Sequence, residues 1–215
     1  MKKIFAELFK ISIVLIFPFI LLIRGAVTFH EQFQLAPMLA ILAGVLAAAF
    51  LLFLYFSIVY GQFTGRLGSG TAVRRRAFWA LAITVLFAIH GIFYMSSENM
   101  KNPEVRQEIN KVHPILRLSV STLVYIDKDL IITDAKRQTE DYSKMGLREK
   151  AHSLHYKQVN GYAHALDLRT NNRSAIRNFL FRNYFRLMGF RTLRHAGTAD
   201  HLHISLMSHD RPYAR

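Results

Sequence analysis

Apolar positions are spread so unevenly along the 215 residues that the chain divides near residue 96. From Pro37 to Tyr60 ("PMLAILAGVLAAAFLLFLYFSIVY") no charge interrupts the run, which as a helix is long enough to cross a hydrocarbon core of about 30 Å. Phe78 to Ser96 ("FWALAITVLFAIHGIFYMS") is nearly as long, with Trp79 and Tyr94 near its ends where interfacial aromatics belong. Its one polar side chain, His90, reads as a helix-packing or interface residue. The first apolar run, Ile11 to Ile23, is shorter and contains Pro18, which would kink it. It spans if Lys10 and Arg24 snorkel or if Ile4 to Lys10 extends it. No small-residue cleavage site follows it, so it reads as a retained helix and not a secretion signal.

After residue 96 the pattern changes to short mixed elements. Residues 97–114 read as a polar connector and opening helix, with Pro103 at a first helical turn. A helix or strand from Ile115, a "DKD" turn and the strand "LIIT" follow, then a helical stretch ended by Gly146. "YAHALDLR" alternates as a strand does, with Ala163, Ala165, Asp167 and Arg169 on one face and His164, Leu166 and Leu168 on the other. Ser174 to Met188 has Ile176, Phe179, Leu180 and Leu187 at helical spacing, which predicts a core-facing stripe with arginines on the solvated side. Gly189 closes that helix, and two strands end the chain. The predicted fold is an α-helical membrane region of three transmembrane helices (about 4–23, 37–60 and 78–96), the connector, and an α+β domain over 115–215.

Charge orients this arrangement. The segment between the second and third spans carries Arg66, Arg74, Arg75 and Arg76, and the N-terminus carries Lys2 and Lys3. The positive-inside rule therefore places both in the cytoplasm and the C-terminal domain beyond the cytoplasmic (inner) membrane, on the outer, periplasmic side. The whole chain has a net charge of +14, and after residue 96 twenty Lys and Arg stand against twelve Asp and Glu. A basic surface needs an anionic neighbour; on that side of the membrane these are lipid headgroups and cell wall, whereas nucleic acid is excluded as a partner. The absence of cysteine rules out disulfides and thiolate metal sites.

Seven of the ten histidines fall between residues 152 and 209, close to two isolated aspartates. Imidazole and carboxylate are the ligands zinc takes when thiolate is missing, and a catalytic site keeps one position open. Such chemistry also needs a carboxylate that is not a ligand, to move a proton between water and a leaving amine. "DHLH", Asp200 to His203, offers a carboxylate and an imidazole in one short stretch.

The motifs "SLH…GYAHALDLRT" and "ADHLHISL" together resemble the zinc D-Ala-D-Ala peptidases of the Hedgehog/DD-peptidase fold, which include D,D-carboxypeptidases, D-Ala-D-Ala dipeptidases and L-alanyl-D-glutamate endolysins. Ser153 and His155 match the opening S-x-H, Ala165 and Asp167 the A-x-D, and Asp200 with His203 the closing pair, over roughly residues 115–207. The resemblance implies Zn2+ held by His155, Asp167 and His203, Asp200 as general base and acid, and Arg137 as the substrate-orienting arginine. Its substrate would be the peptide of peptidoglycan. The spacing departs from the pattern: family His and Asp are seven apart, but position 160 is Asn160 and the family glycine falls on Ala163. Either His155 serves across a five-residue insertion, or the site has lost a ligand. His164 projects to the opposite strand face from Asp167 and is a poor co-ligand. His201 shares a strand face with His203, His195 and His209 read as surface, and Arg137 has Glu140 and Asp141 as rival partners. The alternative function is a catalytically silent relative that binds wall peptide or a partner protein.

Overall fold

A computed structural model describes residues 2–144, 146, 152–197, 200–211 and 214, with the side chains of residues 2–15 and 144 outside the described set. Three long helices come first: α1 (Lys2–Phe33), α2 (Pro37–Thr64) and α3 (Gly70–Phe93). Of these, α2 and α3 are long and apolar enough to cross a membrane. At 1.5 Å per residue their 28 and 24 residues reach about 42 and 36 Å. The expected first span, 4–23, falls largely on residues whose side chains lie outside the described set. Arg74, Arg75 and Arg76, expected in a loop, lie inside the first turns of α3, which Ser69 caps by accepting from the Ala72 amide.

Small residues let α1 and α2 approach closely. A Cβ on Gly44 would stand 2.3 Å from the Leu22 carbonyl oxygen, and Ala26, Ala40 and Ala48 are fully buried around this crossing. Backbone cannot yield as a flexible side chain does, so Gly44→Ala should force the helices apart and cost about 1–3 kcal/mol. A drop in thermal midpoint of the detergent-solubilised chain, absent in Gly61→Ala where a Cβ meets open space, would check this.

The rest of the chain adds α4 (Pro103–Glu108), α5 (Pro114–Ile126), β1 (Ile132–Asp134), α6 (Thr139–Lys144), β2 (Ala165–Arg169), α7 (Ala175–Met188), β3 (Arg191–His195) and β4 (His201–Ser205). Local chemistry explains the boundaries. Asn102 and Ser174 cap α4 and α7 through their side chains, Pro103 and Pro114 sit where no helical amide partner is needed, and Gly189 ends α7 in the left-handed region. The four strands form one antiparallel sheet in the order β1-β2-β4-β3.

The alternation along β2 is observed as expected. Leu166 and Leu168, with Leu202 and Ile204 from β4, join a core that includes Ile115, Leu116 and Leu118 of α5 and Phe181, Phe185 and Met188 of α7. Asp167 and His203, cross-strand partners, point from the other face. Two expectations change. Helix α1 continues to Phe33, and its Leu22, Ile23, Ala26 and Val27 belong to the same core as the sheet, so the core crosses the expected division at residue 96. The stripe Ile176, Phe179, Leu180 and Leu187 is exposed, whereas Asn178, Phe181, Phe185 and Met188 are buried. Helix α7 is apolar on two opposite faces, and spacing cannot say which of two apolar faces meets the sheet.

Candidate metal centre

The β2–β4 register places Asp167 opposite His203, and antiparallel partners share a face. The third member arrives from the loop before β2. His164 donates its amide to the Leu154 carbonyl at 2.8 Å, Lys157 bridges Ala163, and Gly161 turns with φ 89° while its amide bonds Gln158. The insertion between His155 and Ala163 thus folds as a tight excursion whose ends stay together, and His155 returns to Asp167. Asn160 lies away from the cluster, its side-chain nitrogen 2.7 Å from His164 Nε2.

The three donor atoms are close. His203 Nδ1 lies 2.9 Å from Asp167 Oδ1 and 3.3 Å from His155 Nε2, and the latter is 3.4 Å from Asp167 Oδ1. All three residues are buried. Tetrahedral ligands with metal bonds near 2.0–2.1 Å stand about 3.3 Å apart, so these residues could hold a metal ion. The tautomer of His155 agrees with that use. His155 Nδ1 donates to the Ala135 carbonyl at 2.6 Å, which leaves the Nε2 lone pair facing the cluster and holds the ring as an outer hydrogen bond holds a metal-bound imidazole. His203 Nδ1 donates to the Asp167 carboxylate, so a cation there requires the other tautomer, with the proton on Nε2, which is buried without a partner.

Electrostatics keep the cluster ready for a cation. Burial alone would raise the Asp167 pKa, but the neighbouring His155 and His203 hold it well below the usual carboxylate range. Burial lowers the His203 pKa, only partly offset by Asp167. The carboxylate is therefore ionised and the His203 imidazole tends to be neutral at pH 7.

Arg137 reaches this site, donating from Nη2 to Asp167 Oδ2 at 2.8 Å and from Nε to Asp134 Oδ2 at 2.7 Å. Its ionic partners are these two aspartates and not Glu140 or Asp141, and from α6 it meets Tyr142, donating from Nη1 to the hydroxyl at 3.3 Å. Burial would lower its pKa, and Asp134 and Asp167 outweigh that and raise it. A polar cleft of about 510 Å³ opens beside it, lined among others by Lys101, Lys111, Lys136 and Asp134.

Asp200 is the predicted residue that the fold does not bring in. Its carboxylate binds Arg194 at 2.6 Å and accepts from Thr170 at 2.5 Å, and these hydrogen bonds pull its pKa down to about 2. Thr170, Arg194 and Asp200 lie on the α7 side of the sheet by strand parity, opposite the cluster. Two histidines stand closer. His201 Nε2 is 3.6 Å from Asp167 Oδ2, and His195, expected on an unremarkable surface, stacks on His201 with ring centres 4.8 Å apart. The signal for His195 is its pairing with His201 across β3 and β4, which requires knowing that these strands are neighbours.

A second group, His30, His113 and His164, also has spacing that could hold a metal. Its hydrogen bonds argue otherwise. His30 and His164 donate from Nδ1 to the carbonyls of Leu35 and Met207, and the His164 Nε2 lone pair already accepts from the Asn160 amide; His113 Nδ1 accepts from the Ile115 amide, so its Nε2 carries the proton. That leaves one acceptor, His30 Nε2, and one donor, His113 Nε2, which suit a water better than a cation. His209, also expected on the surface, joins this group by donating from Nε2 to the His30 carbonyl at 2.9 Å.

Among known proteins, no family model, no curated protein and no solved structure matches this chain.

Proposed function

We propose that the chain is a membrane-anchored, zinc-dependent peptidase that cuts the stem peptides of peptidoglycan, its sheet domain lying on the outer side of the cytoplasmic membrane. The observation that carries this reading is the convergence of His155 Nε2, Asp167 Oδ1 and His203 Nδ1, three atoms from a loop and two strands that the motif resemblance had singled out as ligands. Zinc over another divalent cation rests on the donor set, two imidazoles and one carboxylate. When bound, zinc supplies a Lewis acid that polarises a carbonyl and makes water a stronger acid.

The chain's own residues do the rest. Asp134 and Asp167 hold Arg137 beside the cluster, where its guanidinium can face a substrate carboxylate or a developing oxyanion. The adjoining cleft carries both signs of charge, Lys101, Lys111 and Lys136 with Glu104, Glu108 and Asp141, groups able to pair with the charged ends of a peptide. For proton transfer, the resemblance names Asp200, which has to leave Arg194 and Thr170 to serve. The geometry offers His201, already beside Asp167. A base within reach raises rates by about 10²–10⁴-fold, so comparing Asp200→Asn with His201→Gln in the full chain decides between them: the variant that loses cleavage by that factor while still binding zinc identifies the proton carrier.

A second reading, a silent domain that binds wall peptide or a partner protein, is favoured by one observation. The carboxylate of Asp200 is neutralised by Arg194, and that of Asp167 by Arg137. Metal content of the purified full chain and cleavage of wall peptides, measured for wild type and His155→Ala, separate the readings. No zinc and no cleavage would sink the enzyme.

A further inference from the structure

We propose that α7 is an in-plane membrane helix, its Ile176, Phe179, Leu180 and Leu187 inserted among the lipids of the leaflet nearest the sheet domain. This rests on the reading that α2 and α3 cross a membrane. The four side chains are 72, 65, 58 and 57 % exposed, and at 100° per residue they fall within about 100° of one another on the helix. Arg182 and Arg186 border this stripe on one edge; on the other stands Arg177, its guanidinium held by Asp127 and Asp129. Asn183, the polar residue within the stripe, donates its side-chain amide to the Phe179 carbonyl at 2.8 Å, so one of its polar groups is satisfied on the helix itself. An apolar stripe edged by arginines is the pattern of a helix lying in a lipid interface, with the guanidinium groups at anionic headgroups.

The position of α7 identifies the occupant. At its C-terminal end, Gly189 packs against α1 so tightly that a Cβ would stand 2.6 Å from Arg24 Nη1 and 2.9 Å from Val27 Cγ1. Arg24 is where the first apolar run of α1 ends. At its N-terminal end, Arg173 and Arg177 bind Asp127, which follows α5. Two residues before it, the Tyr125 hydroxyl meets His90 in the last turn of α3. One end of α7 is thus tied to the last turn of α3 and the other to α1 beside Gly44, seven residues into α2. That is about 10 Å below the start of that helix, which sets α7 near the border of a hydrocarbon core of about 30 Å. The buried face of α7, with Phe181, Phe185 and Met188, covers the leucine face of the sheet. The metal cluster occupies the other face and would look away from the lipid, toward the wall.

The chain contains no cysteine, so single-cysteine variants can carry an environment-sensitive fluorophore without further changes. The full chain, labelled at Phe179→Cys, Leu46→Cys or Arg169→Cys, is reconstituted into phosphatidylglycerol-containing vesicles whose acyl chains are brominated. Leu46 is half-exposed on α2 and reports the bilayer; Arg169 is exposed on the cluster face of β2 and reports water. Expected is quenching at position 179 within about twofold of position 46 and about fivefold above position 169. Quenching at 46 with position 179 no different from 169 overturns the proposal and leaves the membrane reading standing. No quenching at 46 removes the membrane reading itself, and the proposal with it. Disulfide-linked dimers of the unlabelled Phe179→Cys chain under air oxidation, with no lipid quenching of the labelled one, would assign the face to a second copy of the chain, and overturn the proposal.

Discussion

Asp167→Ala is expected to be the most damaging single substitution in the sheet domain. The carboxylate is 2 % exposed and receives Arg137 and His203. Removing it leaves the Arg137 guanidinium with Asp134 as its one anionic partner beside the Tyr142 hydroxyl and takes the anion from between two imidazoles. Breaking a buried charge pair from one side costs about 3–5 kcal/mol, enough to unfold a domain of ordinary stability. Asp167→Asn keeps the shape and a hydrogen-bond acceptor and should fold. It should still lose divalent-cation binding, because a neutral amide replaces the anionic ligand. Denaturant unfolding of the solubilised chain measures the first effect and zinc titration calorimetry the second; tight zinc binding by the asparagine variant would remove Asp167 from the ligand set.

Acid should loosen the attachment of α1 to the sheet domain. His164, sandwiched near His30 and His113, has its pKa pushed down to about 4, first by burial and against the opposing hydrogen bond to the Met207 carbonyl. His113 is lowered well below its ordinary value for the same first reason, with the charges of His164 and His30 adding to it. In the unfolded chain a histidine titrates near 6.5, so between about 6.5 and 4 the unfolded state binds more protons. Stability is then complete above about 6.5 and falls as pH drops toward 4, by about 3 kcal/mol for His164 alone. His209 and Asp210 also border this group, Asp210 opposing the shift. Thermal unfolding across this pH range should show the fall in wild type and a shallower one in His164→Gln; identical profiles would mean that His164 does not carry it.

Much of the candidate metal centre was legible because its parts obey local rules. The alternation in "YAHALDLR" separates Asp167 from His164 with no knowledge of neighbours, and the structure places His164 on the far face in a different histidine group. The motif resemblance singled out His155 despite its spacing, and the excursion from Tyr156 to Gly161 explains how that spacing is tolerated: the loop closes on its own hydrogen bonds, so its length does not move its ends. His195, Asp200 and Arg137 were harder. Their partners, His201, Arg194 and Asp167, are 6 to 30 residues away along the chain and become neighbours through strand pairing and loop closure.

By itself the sequence determined what depends on composition and short-range period: two uncharged runs of spanning length, the helix start at Pro103 and the helix end at Gly189, the two-sided strand at β2, and a set of side chains able to bind a cation. Tertiary structure alone decided which apolar face of α7 met the sheet, how far α1 entered the core, and where Asp200 turned. Those outcomes depend on which surfaces compete for the same buried area. A helix with two apolar faces, or a carboxylate with an arginine across the next strand, presents alternatives of similar local energy, and only packing of the whole chain separates them.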